Sequence, residues 1–84
     1  MPVVPGLYRH YKGQRYRVLG TARHSETEEP LVVYQALYGE RGLWVRPAAM
    51  FTETVTADGV DVPRFALEQA ELGLLENPGL LENP

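Results

Sequence analysis

Residues 6–20 of this chain read GLYRHYKGQRYRVLG, with tyrosines, arginines and a histidine alternating on both sides of Lys12-Gly13. This pattern predicts a β-hairpin formed by residues 6–11 and 14–24. A two-residue loop would force Lys12 to a positive φ, which a lysine side chain disfavours. A three-residue loop, Tyr11-Lys12-Gly13 with Gly13 in the left-handed region as a G1 bulge, therefore fits better.

The three-residue loop fixes which side chains of the hairpin share a face, because side chains alternate along each strand. One face is expected to hold Tyr8, His10, Tyr16, Val18, Ala22 and His24. The other face is expected to hold Arg9, Arg15, Arg17 and Arg23, which together with Lys12 form a basic patch. We expect Arg9, Arg15 and Arg17 to be mostly exposed.

The strand pattern continues through the middle of the chain as far as Phe65. Strand-forming runs at 31–37, 43–46, 52–56 and 60–65 are separated by turns, one of them at Ala57-Asp58-Gly59. Residues 47–51 suit one helical turn because Pro47 stops the strand before it. Five to six short strands hide their edges best by closing, so we predict an all-β fold, a small SH3-like antiparallel barrel. Its core is expected to include Val18, Val33, Leu37, Val45 and Phe51.

Residues 66–84 differ in character from the barrel domain expected over residues 1–65. Residues 66–75 contain Leu, Glu, Gln and Ala in a pattern that favours a short helix. A perfect duplication overlaps its end, GLLENP at 73–78 and again at 79–84. Two copies of six residues are too short for a solenoid. The repeat arose by sequence slippage, or it is a docking tail whose paired leucines bind a groove on a neighbouring subunit.

The composition limits the classes of protein to which the chain can belong. With 84 residues and no cysteine, we expect one small domain without disulfides or thiolate metal sites. The first residues, MPVVPG, lack the basic and apolar regions of a signal peptide, and no apolar run approaches a membrane span. We therefore expect a cytoplasmic protein of bacterial type with no membrane partner.

The net charge of −3 hides an asymmetry between the two halves of the sequence. Residues 1–47 carry a charge of +3, residues 48–84 carry −6, and residues 1–24 contain no acidic residue. Two explanations stay open. The basic half binds an anionic partner, or the acidic half packs beside the basic half within the fold.

The candidate site residues combine flat aromatic rings with cationic and imidazole groups. A ligand site is expected to use Tyr8, His10, His24, Tyr38, Trp44 and Arg46. Trp44 is either a core residue, the usual place for a lone tryptophan, or part of a shallow groove with Tyr38 and Arg46. Two histidines are too few ligands for a zinc site, which needs three or four. The sequence also contains no nucleophile elbow and no phosphate-binding loop. No metal, cofactor or catalytic residue is assigned.

The chain from Gly6 to Phe65 resembles a family of short bacterial proteins classed as a domain of unknown function. The matching motifs are GxYxHxKGxxYxV from residue 6, AxHSxT from residue 22, VVYxxLY from residue 32, WVRPxxMF from residue 44 and VPRF from residue 62. The resemblance covers about 60 of the 84 residues. It implies a small SH3-like barrel and carries no assigned activity.

Three functions are compatible with these features. The first is a small binding module that recognises a partner or ligand through the aromatic, arginine and histidine surface. Its partner is a protein, or a second copy of the chain bound through the tail or an open strand edge. The second is a binder of single-stranded nucleic acid or nucleotides, in which the basic patch contacts phosphates and Tyr8, Tyr16 and Trp44 stack on bases. The third is an enzyme that uses His10 and His24. The acidic net charge counts against a dedicated nucleic-acid domain.

Overall fold

The computed structural model describes residues 3–71, which form seven strands and one short helix. In chain order these are β1 (Gly6–His10), β2 (Arg15–Arg23), β3 (Pro30–Ala36), β4 (Leu43–Pro47), α1 (Ala48–Phe51), β5 (Thr54–Ala57), β6 (Val60–Pro63) and β7 (Phe65–Ala70). The prediction of an all-β fold with one helical turn after Pro47 is confirmed. The strands number seven rather than five to six.

Five strands form one antiparallel sheet in the order β4-β3-β2-β1-β7, and β5 and β6 form a separate two-stranded ribbon. Within residues 3–71, β4 and β7 are the edges of the sheet and do not pair with each other. The sheet is therefore open in the described part of the chain, and the SH3-like barrel is not confirmed. No helix within those residues is long and apolar enough to cross a membrane.

The β1–β2 hairpin closes through the predicted three-residue loop. The His10 N–H donates to the Gln14 carbonyl at 2.8 Å, and the Gly13 N–H donates to the His10 carbonyl at 2.7 Å. Gly13 has a φ of 106°, as the G1 bulge requires. Tyr8 therefore lies opposite Tyr16, and Arg9 lies opposite Arg15. The register that the loop predicted is confirmed for this hairpin.

A bulge in β2 reverses the predicted alternation beyond Val18. Val18 pairs with Tyr34 but Gly20 pairs with Val33, so Leu19 is an extra residue in β2. Each later side chain moves to the opposite face, as a one-residue slip in register requires. The prediction that Ala22 and His24 share a face with Tyr8, and that Arg23 shares one with the other arginines, is therefore wrong.

The core lies on one side of the sheet, which we call the inner face. Its buried members are Tyr8, Val18, Val32, Tyr34, Phe51 and Phe65. Val18 and Phe51 confirm the predicted core. Val33 and Leu37 are only half-buried, and Val45 is 59% exposed. The prediction for Val45 is wrong because the even-numbered residues of β3 and β4 face inward, whereas Val33 and Val45 are paired on the outer face.

Residues 48–64 carry the chain from the β4 edge to the β7 edge of the sheet. Phe51 of α1 packs edge-on against Tyr8 of β1, with ring centroids 5.3 Å apart. Glu53 and Arg64 close the base of the β5–β6 ribbon through an ion pair of 2.6 Å and a backbone hydrogen bond of 3.0 Å. The connection thus covers part of the inner face and delivers Phe65 to the strand beside β1.

Residues 65–70 form a strand and Glu71 is not helical, so the helix predicted from Ala66 is wrong as far as Glu71. The rest of that prediction, residues 72–75, lies outside the described residues. β7 pairs with β1, from Gly6 opposite Ala70 to His10 opposite Phe65. Gly6, at a φ of 149°, permits this contact, since a Cβ there would collide with the Gln69 carbonyl oxygen. A long-range partner has overridden a local helix preference.

The pairing of β7 also buries Arg17, which was predicted to be exposed. Arg17 is only 9% exposed, and its Nε donates to Glu71 at 3.1 Å. Arg15 forms a second ion pair to Glu68 at 2.7 Å and stays exposed, as does Arg9. The basic first half and the acidic second half of the sequence therefore attract each other within the fold. The GLLENP duplication lies outside the described residues.

Phe65→Ala is expected to lower the free energy of unfolding by about 3–5 kcal/mol, because it removes a buried ring. Leu67→Ala, on the same strand but 46% exposed, serves as the control and should cost about 1 kcal/mol or less. Urea titration followed by circular dichroism measures both. Equal losses for the two variants would contradict the placement of Phe65 in the core.

Candidate binding site

A cleft of about 440 Å³ lies on the part of the inner face that the connection leaves uncovered. Its lining includes Tyr16 from β2, Tyr34 and Ala36 from β3, and Trp44 and Arg46 from β4. The loop from Tyr38 to Gly42 also contributes to the lining. The cleft is therefore built on a rigid sheet and bordered by the β3–β4 loop, an arrangement typical of ligand sites.

Trp44 is the most exposed large aromatic side chain of this cleft. It lies directly opposite Tyr34 across the β3–β4 pair, yet 60% of it is exposed. The indole lies against the β3–β4 loop, since a Cβ on Gly42 would be in ordinary van der Waals contact with Trp44 Nε1 at 3.7 Å. Of the two alternatives for Trp44, the structure places it in the surface groove and not in the core.

Arg46, two residues after Trp44 on β4, supplies a cation to the same cleft. It is half-buried, and its guanidinium carbon lies 5.6 Å from the ring centroid of Phe65. Among residues 3–71 no carboxylate forms an ion pair with Arg46, whereas Arg15, Arg17, Arg23 and Arg64 each have one. The Phe65 ring therefore orients Arg46 while leaving its charge available to a ligand.

Two tyrosine hydroxyls lie at the junction of the cleft and its bordering loop. The hydroxyl oxygens of Tyr16 and Tyr38 are 2.6 Å apart, and the two rings meet edge to face with centroids 5.5 Å apart. Burial, followed by the hydrogen bond with Tyr38, raises the pKa of Tyr16 to about 12. Tyr16 is therefore a neutral hydrogen-bonding group, and its contact holds the exposed Tyr38 against the sheet.

His10 lies beyond Tyr16 on the same inner face, at the end of β1. Its ring packs edge-on against Phe65 with centroids 4.9 Å apart, and its Nδ1 accepts the Lys12 backbone N–H at 3.2 Å. Burial, then the nearby cations Arg64 and Arg46 in that order, lowers the pKa of His10. The neutral imidazole is therefore favoured at neutral pH.

Of the six predicted ligand residues, the cleft brings together Tyr38, Trp44 and Arg46. Tyr8 is a core residue whose hydroxyl donates to the Val4 carbonyl at 2.6 Å, and burial raises its pKa. His10 borders the cleft region through Tyr16, with ring centroids 6.4 Å apart. His24 lies in the β2–β3 turn, where Nδ1 accepts the backbone N–H groups of Glu26 and Thr27.

Sequence reasoning missed Tyr34 and Arg41 as cleft residues and assigned Tyr16 only to stacking on bases. Alternation along residues 31–37, matched to the next strand, would have placed Tyr34 opposite Trp44. Arg41, at a φ of 57°, depends on the loop conformation, for which the sequence offers no comparable signal. No cluster of three or more metal-binding side chains occurs among the described residues.

The predicted basic patch is largely neutralised by the chain itself. Arg15 and Arg17 are paired with Glu68 and Glu71, and Arg23 lies 3.5 Å from Glu28. The pKa of Arg15 is raised and that of Glu68 is lowered, in each case chiefly by their mutual hydrogen bond. Arg9 and Lys12 are the exposed members of the patch that form no ion pair within residues 3–71.

Comparison with known proteins agrees with this architecture. A family model described as "Protein of unknown function (DUF1653)" matches residues 6–67. The chain belongs to the DUF1653 family. A crystal structure of a DUF1653 protein from Bordetella bronchiseptica is similar, with 42% sequence identity and a TM-score of 0.75 over 82% of this chain and 91% of that one. No significant match was found among curated proteins. The family match therefore covers β1 to β6, the first half of β7 and every residue that lines the cleft.

The wild-type DUF1653 domain is expected to lose stability relative to His10→Gln as the pH falls below about 6.5. Because folding lowers the pKa of His10, the unfolded chain takes up the proton first. The stabilising contribution of neutral His10 is complete above that pH and is lost as the pH falls through the folded pKa. Urea titrations between about pH 8 and pH 5 measure the difference. A difference that is constant, or that changes in the opposite direction, would contradict the assignment.

Proposed function

We propose that this DUF1653 domain is a binding module whose cleft accepts an apolar or flat side chain next to a carboxylate from a partner protein. The observation that carries the proposal is the pairing of a 60% exposed Trp44 with the cationic Arg46 on one rigid strand. The indole supplies contact area at a small entropic cost, and the guanidinium supplies a bidentate donor for a carboxylate. Trp and Arg are also the residue types enriched at binding hot spots.

The chemistry of the cleft favours a partner rich in hydrogen-bond acceptors. Trp44 Nε1–H and the guanidinium of Arg46 only donate, and the Tyr16 and Tyr38 hydroxyls can donate or accept. Arg41 adds a second cation to the bordering loop, and Glu40 adds one negative charge. A ligand group with a single carboxylate beside an apolar surface matches this set. A positively charged ligand group would be repelled by both Arg41 and Arg46.

Nucleic acid is the alternative partner, and the charge distribution supports it less well. A single strand needs a continuous row of cations along its backbone. The arginines of β2 are paired with Glu68, Glu71 and Glu28, so they do not offer such a row. Trp44, Tyr38, Arg41 and Arg46 would still suit one nucleotide, and this candidate is therefore retained as an outcome of the binding test.

The enzyme hypothesis lacks a shared site for the two histidines. His10 lies opposite Gln14 at the loop end of the β1–β2 hairpin, while His24 follows the other end of β2. The nine residues of β2 separate the two histidines by roughly 30 Å, at about 3.3 Å per residue. Two groups that far apart do not act on one substrate atom, so the proposal assigns no catalytic residue.

Trp44→Ala is expected to leave the domain folded, with a change in the free energy of unfolding of about 1 kcal/mol or less, because most of the indole is already in water. Urea titration of the two proteins, followed by circular dichroism, measures this change. A loss of about 3–5 kcal/mol, typical of a buried tryptophan, would place Trp44 in the core and remove the basis of the proposal.

Peptide display against the wild-type domain, with counter-selection against Trp44→Ala, is expected to enrich peptides that carry Asp or Glu beside an apolar residue. A selected peptide titrated into the protein should shift the emission of Trp44, the single tryptophan of the chain. Arg46→Gln should weaken that binding at least about tenfold. Leu67→Ala, an exposed site on β7, is the matched control and should not change it.

Two results of this experiment would contradict a protein partner. One is the absence of peptides that prefer the wild type over Trp44→Ala. The other is tighter binding of an oligothymidylate than of any selected peptide, with affinity falling steeply as salt rises. The second result would instead support the nucleic-acid alternative.

A further inference from the structure

β4 forms an edge of the sheet that is unusually apolar. Leu43, Trp44 and Val45 are 65%, 60% and 59% exposed in succession. The opposite edge, β7, carries Glu68 and Gln69 in the middle of its strand. Monomeric proteins usually protect edge strands with charges or proline. On β4 only Arg46 and Pro47, at the end of the strand, serve that purpose.

The backbone of β4 directs unpaired groups outward at alternate residues. The Ala36 N–H donates to the Gly42 carbonyl at 3.1 Å, so residues 36 and 42 form a hydrogen-bonded pair of the antiparallel ladder. By alternation, Trp44 and Arg46 direct their N–H and carbonyl groups toward β3. Leu43 and Val45 therefore direct theirs away from the sheet, and Pro47 presents only a carbonyl.

We propose that two copies of this chain associate through β4, antiparallel and related by a two-fold axis at Val45. The two five-stranded sheets would then become one continuous sheet. The N–H and carbonyl groups of Val45 pair reciprocally across the axis, and each Leu43 N–H donates to the Pro47 carbonyl of the second copy. The ladder ends at this pair, because Pro47 has no N–H to donate to the Leu43 carbonyl and β4 ends at Pro47.

The side chains of β4 are complementary to their own two-fold image in this register. Val45 meets Val45 of the second copy on the outer face, and Leu43 meets Pro47. On the inner face, Trp44 lies opposite Arg46 of the second copy, so each indole packs against the aliphatic stem of the facing arginine. An isologous interface needs this self-complementarity. The association also places the two clefts side by side.

This inference does not depend on the proposed function, because it rests on the unpaired backbone edge of β4 and on the fit of its side chains to their own two-fold image, not on a ligand in the cleft. Sedimentation equilibrium of the full chain, from about 10 μM to about 1 mM, should show reversible dimerisation. Val45→Lys should raise the dimer dissociation constant at least about tenfold, since two lysines would meet at the axis. Val60→Lys, at an equally exposed valine of β6, is the matched control and should leave it unchanged.

Hydrogen exchange locates the interface independently of the substitutions. The Leu43 and Val45 amides should become protected as the wild-type concentration rises, and in Val45→Lys they should exchange quickly at every concentration. A wild-type chain that stays monomeric to about 1 mM would overturn the proposal. So would equal effects of Val45→Lys and Val60→Lys, or dimerisation that leaves both amides unprotected.

Discussion

The stacked pair of Phe51 and Phe65 is the contact on which the arrangement of this domain depends. The two rings are parallel to within 3°, with centroids 4.2 Å apart. Phe51 ends the helix that follows one edge of the sheet, and Phe65 begins the strand at the other edge. Their contact therefore ties the two ends of the crossing segment together over the inner face. Edge-on and tilted contacts with Tyr8, Tyr34 and Tyr16 join this pair to three central strands.

The position of the cleft follows from how far this aromatic cluster extends. Phe51 and Phe65 cover the inner face over β1 and the nearer part of β3, and Tyr34 touches both of their rings. Toward the β3–β4 loop nothing in the described chain covers the sheet, so Trp44 on the last strand stays exposed. Arg46 lies between these two regions, over the Phe65 ring. The same packing that stabilises the fold thus orients the cation of the proposed site.

The sequence predicted well the features that local chemistry determines. Gly13 after Lys12 specified the hairpin loop, and Pro47 specified the change from strand to helix. The bulge at Leu19 and the strand from Phe65 were not predictable in this way, because both depend on partners distant in sequence. The bulge reversed the alternation that had placed His24 on the same face as His10, and the β7 strand buried Arg17. In each case tertiary pairing overrode a regular alternation or a helix preference.

The candidate site could be predicted only in part for the same reason. The sequence singled out Tyr38, Trp44 and Arg46 by residue type, and their approach within one cleft comes from the β3–β4 pairing and loop. Whether Trp44 was buried or exposed depended on which part of the inner face residues 48–64 would cover. Which residues of β3 face the core and the cleft depended on the phase of the alternation along that strand. Val32 and Tyr34 face inward, whereas Val33 does not.

A double-mutant cycle on Phe51 and Phe65 tests the central contact most directly. Phe51→Leu, Phe65→Leu and the double variant keep an apolar side chain at both sites, and urea titration gives each free energy of unfolding. Ring stacking predicts a coupling energy of about 0.5–1.5 kcal/mol between the two sites. The control cycle pairs Phe65→Leu with Val60→Ala, an exposed site on the ribbon, and should be additive. A Phe51–Phe65 coupling within about 0.3 kcal/mol of zero would contradict the account.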